Sequence, residues 1–368
     1  MPRAGSATRR SWMVLPALAL LVGACAGSPD TPAAEVGGAT TIAPPPADDV
    51  ADEEPTGSAG SAVTAAPASA GCGAGTEVTV GGPNIMTVRS GAIDRDVGFH
   101  VPAGYDGATP LPVVLNLHPY ASPANVHSSV SAMDLKSEEE GFIEVAPQGI
   151  GAIPYWNVPG NPGLADDVTF MGSLLDKVVE DLCVDERRIY VAGNEMGGQL
   201  GLVLACEMSD RIAAVATVAG VYLPERCDPA RPVPVLAFHS RDDTWQLFEG
   251  GLGPGAFGLP QSPESEELIA DIVIPSVPDF AEGWAHTNGC TGELTEQRFS
   301  EHVVHQSYEG CPEGGEVELY VMEGVGHAWP GTVTGLKVEE LTGPSTNEII
   351  ATDVIWDFFE SYAIDSAG

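Results

Sequence analysis

Three positions in this 368-residue chain could do chemistry together, and each follows an apolar run with the character of a buried β-strand. The first is Glu195, in Gly193-Asn194-Glu195-Met196-Gly197, where the run 188–193 meets a Gly-bounded corner and the start of a helix. That corner has the frame of a nucleophile elbow, G-x-S-x-G, whose strained strand-to-helix turn lifts a serine hydroxyl toward a histidine and two backbone N–H donors. Here the middle residue is a glutamate. The second position is the pair Asp242-Asp243, shortly after the run 233–238, either of which could orient an imidazole. The third is His327, in Gly326-His327-Ala328-Trp329-Pro330, after the run 317–322. Taken alone, a histidine before a Trp-Pro step is an ordinary packed loop residue and an Asp pair an ordinary solvated turn. What raises them is their order, since nucleophile position, acid and histidine each sit at a strand end, where open parallel sheets bind ligands.

The elements that must position these groups are legible in the same pattern. Runs at 86–90 and 96–101, separated by Gly91, read as an entry hairpin. The runs 111–117, 141–146, 188–193, 213–221, 233–239 and 317–322 are predominantly apolar, as strands buried on both faces should be. Asp166-Asp167 precedes a helix whose inward residues are Phe170, Leu174, Leu175, Val178, Val179 and Leu182. A second helix is expected over 196–208, with Gly197, Gly198 and Gly201 allowing close approach to the sheet, and a last one over 353–362. Strands alternating with helices predict an α/β fold, a mostly parallel central sheet with helices on both faces. The Gly- and Pro-rich loop 244–275 is a candidate cover for the site.

The front of the chain is a separate matter. Arg3, Arg9 and Arg10 followed by the apolar run 13–22, too short to cross a bilayer, predict a secretory signal over 1–24. The small residues before Cys25 match a lipoprotein signal, with Cys25 as the lipidated residue; a plainly cleaved signal is the alternative. Residues 26–71 are rich in Ala, Pro, Gly, Ser, Thr and acids, with no aromatic residue, Lys or Arg, and are expected to be a disordered acidic linker before a folded domain over 72–368. The net charge of −37 excludes nucleic acid as a partner and leaves the membrane accessible only through a lipid anchor, on the extracellular face of the envelope or, without the anchor, by secretion. With Lys136, Lys177 and Lys337 the sole lysines, a carboxylate-covered surface suits a salty habitat.

Beyond Cys25 the chain has Cys72, Cys183, Cys206, Cys227, Cys290 and Cys311. In an exported domain these predict three disulfides. Their spacings are not those of metal ligands and no His-rich cluster accompanies them, so neither metal nor cofactor is expected. Cys206–Cys227 and Cys290–Cys311 would each close a modest loop, leaving Cys72–Cys183 to tie the start of the domain to its middle, although the residues alone allow other pairings.

Several stretches together resemble the extracellular polyhydroxybutyrate depolymerase and feruloyl or acetylxylan esterase group of α/β-hydrolases. They are Val101-Pro102-Ala103-Gly104-Tyr105-Asp106, Gln148-Gly149, Trp156-Asn157, Asp166-Asp167-Val168, the strand 188–193, Trp284-Ala285 with Asn288-Gly289-Cys290, the stretch from Gly326 to Pro330, and Ile355-Trp356-Asp357-Phe358-Phe359. The resemblance covers about residues 72–363 and implies the α/β-hydrolase fold. It implies Asp243 as triad acid, with Asp242 its rival, and His327 as base. Trp156, Asn157 and Trp329 would line the substrate pocket, and the ligand would be a polyester or an acylated polysaccharide. Glu195 stands where the group has its serine, and Pro119, which offers no N–H, stands where it commonly has a glycine. Tyr120 and Met196 then remain as backbone oxyanion donors.

A glutamate changes what the frame can do. Carboxylate attack on an ester would give an anhydride, so serine-type ester hydrolysis is not expected. Two carboxylates flanking His327 should raise its pKa and hold the three groups as a static ionic cluster. Three readings follow: a relative without ordinary serine-esterase activity that binds a polyester or acylated polysaccharide, a hydrolase using Glu195 as carboxylate base or nucleophile, and a structural envelope lipoprotein.

Overall fold

The computed structural model describes residues 68–365 apart from 76, 159 and 333–338, all within one compact unit, Val63–Gly368. The expected signal at 1–24, Cys25 and nearly all of the expected linker lie outside the described residues. The linker's expected end at residue 71 is corrected. Ser69 is buried, donates its hydroxyl to the Leu182 carbonyl at 2.8 Å and accepts the Val184 N–H at 3.0 Å, while Ala68 bridges to Asp185. The fold therefore begins at least four residues earlier than the composition suggests.

A ten-stranded sheet organises the unit. Its parallel centre comprises β3 (Leu111–Leu117), β4 (Ile143–Pro147), β5 (Val184–Asn194), β6 (Ala214–Val218), β7 (Val235–Ser240) and β10 (Val317–Met322). Antiparallel strands extend both edges: β1 (Gly82–Ser90) and β2 (Ile93–Val101) on one, β9 (Val303–Tyr308) and β8 (Leu294–Arg298) on the other. The order is β1-β2-β4-β3-β5-β6-β7-β10-β9-β8. In β4, β6 and β7 every residue is buried, which is why those strands read as largely apolar runs, interrupted by the buried polar residues Glu144, Thr217, His239 and Ser240.

The two faces carry two apolar cores. On one face lie α3 (Asp167–Asp181), α4 (Met196–Glu207) and α6 (Val277–Asn288). Asp166 caps α3 by accepting the Thr169 N–H at 2.9 Å, and Phe170, Met171, Leu174, Leu175 and Val178 bury its inner stripe. On the other face, beyond the short helix α7 (Glu339–Thr342), α8 (Ala351–Phe359) packs Trp356 on Phe142 and Phe359 on Tyr190 as stacked rings, at centroid distances of 4.5 and 4.8 Å.

Some of the elements missed by pattern reading carry no signal, whereas α6 was missed although Ser276 caps it and Val277, Phe280, Ala281, Trp284 and Ala285 form a buried stripe. Helix α2 (Met133–Glu140) buries only Met133 and Ser137, leaving Leu135 exposed among charged residues, and it follows α1 (Ala124–Ser131) through Ala132 at φ 53°. Strand β8 is exposed at every position, so no alternation marks it. The loop expected at 244–275 contains a short 3-10 turn, Ala256–Gly258, and helix α5 (Pro263–Asp271) with a Ser262–Ser265 capping box. Three disulfides, Cys72–Cys183, Cys206–Cys227 and Cys290–Cys311, brace the unit.

Candidate active site

Glu195 is the single residue between β5 and α4, with φ 49° and ψ −116°. A non-glycine residue pays roughly 1–3 kcal/mol to hold such a conformation, so the surroundings must over-determine it. They do: Glu195 donates its N–H to the Val218 carbonyl at 2.9 Å, and its own carbonyl accepts the Gln199 N–H at 2.9 Å. The glycines after it have no room for a side chain. A Cβ on Gly197 would lie 2.1 Å from the Leu117 carbonyl oxygen, and one on Gly198 2.1 Å from Thr217 Oγ1. Helix α4 is thus pressed against the ends of β3 and β6, and the Glu195 side chain is directed out of the sheet end.

There its Oε2 accepts the backbone N–H of Tyr120 at 2.8 Å. Tyr120 lies on the loop after β3, and that loop is held by the residues around it. His118 donates from Nδ1 to the Pro119 carbonyl at 2.8 Å and accepts the Gly149 N–H on Nε2 at 2.8 Å, while its own carbonyl accepts the Trp156 indole N–H at 2.9 Å. Burial lowers the His118 pKa to about 4, outweighing the rise from the Pro119 bond, so the ring is neutral, as the accepting Nε2 requires.

Asp243, after β7, and His327, after β10, meet on the same edge of the site. His327 Nδ1 lies 2.8 Å from Asp243 Oδ2, and Asp243 Oδ1 accepts the N–H groups of Trp245 at 2.7 Å and Gln246 at 3.1 Å. Asp242 instead accepts the Gly324 N–H at 2.7 Å and braces the histidine loop. Ser240 Oγ donates to the Val325 carbonyl at 2.5 Å, fastening the end of β7 to that loop. The Trp245 ring stacks on the imidazole at 4.9 Å with 4° between planes. Burial acts to lower the His327 pKa, but the charge of Asp243, its hydrogen bond and the charge of Glu195 outweigh it, and the net shift is upward. Burial raises Asp243 while His327 pulls it down, and here the net shift is downward.

The expected three-membered ionic cluster is corrected in one respect. His327 ion-pairs with Asp243 and not with Glu195, whose carboxylate turns to the Tyr120 amide and acts on the imidazole only through space. His327 Nε2 is buried without a hydrogen-bond partner among the described residues.

Trp156, Asn157 and Trp329, expected along the pocket, have other work. Trp156 braces the Tyr120 loop through its indole N–H. Asn157 donates to the carbonyls of Asn161 and Ala165 and accepts the Asn161 N–H. Trp329 donates to Thr352 Oγ1 at 3.0 Å, in the core beneath α8. The wall beside Glu195 comes from the 244–275 segment: Leu252, Leu268, Ile269, Ile272 and Ile274, with Gln199, Trp245 and Gln246, enclose a cavity of about 40 Å³ against Tyr120, Glu195 and Met196. The apolar spacing Leu268, Ile269, Ile272 behind the Ser262 cap was the available signal for this wall. Tyr120 ties the segment down, donating its hydroxyl to the Pro260 carbonyl at 2.7 Å.

No family model matches the chain. Feruloyl esterase B of Piromyces equi is 31% identical over 243 residues, which are 64% of this chain and 42% of the relative. A bifunctional acetylxylan esterase/xylanase of Neocallimastix patriciarum is 26% identical over 167 residues, 45% of this chain and 24% of the relative. The chain thus spans less than half the length of these relatives. Feruloyl esterase D of Neurospora crassa is 22% identical over 323 residues, 82% of this chain and 93% of the relative. Among solved structures, an acetyl xylan esterase from Aspergillus awamori superimposes with a TM-score of 0.50 at 14% identity, covering 71% of this chain and 98% of that one. The chain has the α/β-hydrolase fold and is related in sequence to feruloyl and acetylxylan esterases.

Proposed function

We propose that this is an exported, esterase-type α/β-hydrolase domain in which Glu195 holds the nucleophile position, and that it binds a polyester or acylated polysaccharide without ordinary serine-esterase turnover. The observation that carries the reading is the 2.8 Å contact from the Tyr120 N–H to Glu195 Oε2. A serine-type esterase reserves such a donor for the oxyanion of its tetrahedral intermediate, and removing one donor of that kind costs roughly 10²–10³ in rate. Here the elbow residue supplies no hydroxyl and its carboxylate already accepts that N–H. Tethering through lipidated Cys25 and the acidic segment after it would present the domain outside the cell.

The test is hydrolysis of short-chain p-nitrophenyl esters by the soluble domain, comparing the native chain with Glu195→Ser and Glu195→Gln. Activity confined to Glu195→Ser supports the reading. A second reading has a specific observation in its favour, the partnerless Nε2 of His327 beside a carboxylate, which together could activate water. It requires activity in the native chain that Glu195→Gln abolishes, and that result would overturn the first reading.

A further inference from the structure

Replacing a serine by a glutamate does more than remove a nucleophile; it adds a charged acceptor to the cavity. Of the two N–H groups an ester carbonyl would meet, that of Tyr120 is taken by Glu195, and a ligand meets new acceptors beside it. Glu195 lines the cavity with a carboxylate whose Oε2 is fixed by Tyr120. Gln199 also lines it, is 1% exposed, and has an Oε1 without a hydrogen-bond partner among the described residues. Its amide orientation is set by the Nε2 donation to the Val221 carbonyl at 3.3 Å, which a flipped amide would turn into an oxygen–oxygen contact. Gln246, likewise 1% exposed and on the wall, also has an Oε1 without a hydrogen-bond partner among the described residues. A buried acceptor left unpaired is unfavourable, so a ligand that supplies donors relieves that penalty.

Charge and size narrow the ligand further. Even with His327 protonated, Glu195, Asp243 and His327 leave one net negative charge at the site, and neutral His327 leaves two. Much of the remaining wall is aliphatic, from Leu252, Leu268, Ile269, Ile272 and Ile274, with Gln261 and Ser265 as further polar members. A cavity of about 40 Å³ has room for roughly three water-sized groups. A body of two carbons carrying an ammonium matches in volume, in donors and in sign. We infer that the cavity beside Glu195 binds a small primary alkylammonium group, with Glu195 and Gln199 accepting its N–H bonds and the α5 segment covering its carbons. The inference rests on the proposed absence of serine-type chemistry at Glu195 but not on the identity of any polymer ligand.

The experiment is an NMR titration of the Tyr120 backbone amide with ethylammonium chloride at constant ionic strength, beside ethanol, acetate and tetramethylammonium. The expected result is a saturable Tyr120 shift with ethylammonium, weakened roughly tenfold in Glu195→Gln, which preserves an acceptor for Tyr120 but not the charge. Gln199→Met, placed away from the strained corner, should weaken it severalfold with the Tyr120 resonance otherwise intact. A saturable response to acetate or ethanol equal to that of ethylammonium overturns the inference. So does no saturation by ethylammonium, or equal affinity in folded Glu195→Gln. These outcomes are read without any ester substrate, so the inference can fail while Glu195→Ser still gains esterase activity, and the converse.

Discussion

The Glu195 carboxylate and the Tyr120 backbone nitrogen lie 2.8 Å apart, joining the turn between β5 and α4 to the loop after β3. Tyr120 carries a second bond, from its hydroxyl to Pro260, so one residue links the elbow to the segment over the cavity. The elbow's strain, its acceptor and its cover are therefore mechanically connected.

The strain at Glu195 is measurable by comparing two truncations. Glu195→Ala and Glu195→Gly both remove the bond to Tyr120, but only glycine adopts φ 49° and ψ −116° without steric cost. Urea denaturation is expected to find Glu195→Gly the more stable of the two by about 1 kcal/mol, the strain relief being partly offset by glycine's greater freedom when unfolded. Equal stabilities would show that the corner is not strained.

His327 should titrate above an ordinary imidazole in an NMR pH series, and both Glu195→Gln and Asp243→Asn should bring it down. The stability linked to a raised histidine pKa is fully present below the unfolded value, about 6.5, and is lost as pH rises through the folded one. Asp243 has the opposite sense: its depressed pKa stabilises above about pH 3.9, and that contribution is lost as pH falls through the folded value. A His327 value at or below 6.5 would contradict the charge arrangement.

Glu144 is fully buried in β4, bonded to Asn116 Nδ2 at 2.7 Å and Ser128 Oγ at 2.9 Å, and burial raises its pKa to about 7 despite both bonds. Between about pH 4.5 and 7 the unfolded chain has released a proton that the folded chain keeps, so stability falls as pH rises. Glu144→Gln should remove much of that fall, which is of order 3 kcal/mol by linkage. Thermal melts of both proteins across this range would detect it.

Two glycines separate backbone contact from propensity. Gly197→Ala would force a methyl within 2.1 Å of the Leu117 carbonyl, which no rotamer relieves, and should cost more than about 3 kcal/mol. Gly172, inside α3, meets only Met208 Cε at 3.5 Å, an ordinary contact. Gly172→Ala should stabilise by about 0.5–1 kcal/mol in denaturant melts.

Removing Cys72–Cys183, with a sequence separation of 111, should cost more than removing Cys206–Cys227, with a separation of 21. The chain-entropy account sets the two at about 5 and 3 kcal/mol, and paired Cys→Ser variants compared by denaturation would show whether the order holds.

The parallel centre of the sheet was legible because strands buried on both faces are written as predominantly apolar runs, and 111–117 and 317–322 match β3 and β10 residue for residue. The elbow was legible because the glycines flanking the turn are required by contacts under 3 Å, which leave no other residue type admissible. By contrast α2 and β8 expose most or all of their residues, so no periodicity records them. The cavity wall was the costliest omission. Gly and Pro in 244–275 signal a loop, while the helix within it is held by a local serine cap and by packing onto Glu195's neighbourhood.

The sequence by itself determined the order of the chemical groups, the residue at the strained corner and the fold that carries them, because these follow from residue identity and local period. Only the tertiary structure decided between Asp242 and Asp243, moved Trp156, Asn157 and Trp329 from the pocket into the frame, and turned Glu195 toward Tyr120 instead of His327. The reason is physical: which donor a carboxylate meets depends on loops brought together from distant parts of the chain, and no spacing within any one of them encodes that encounter.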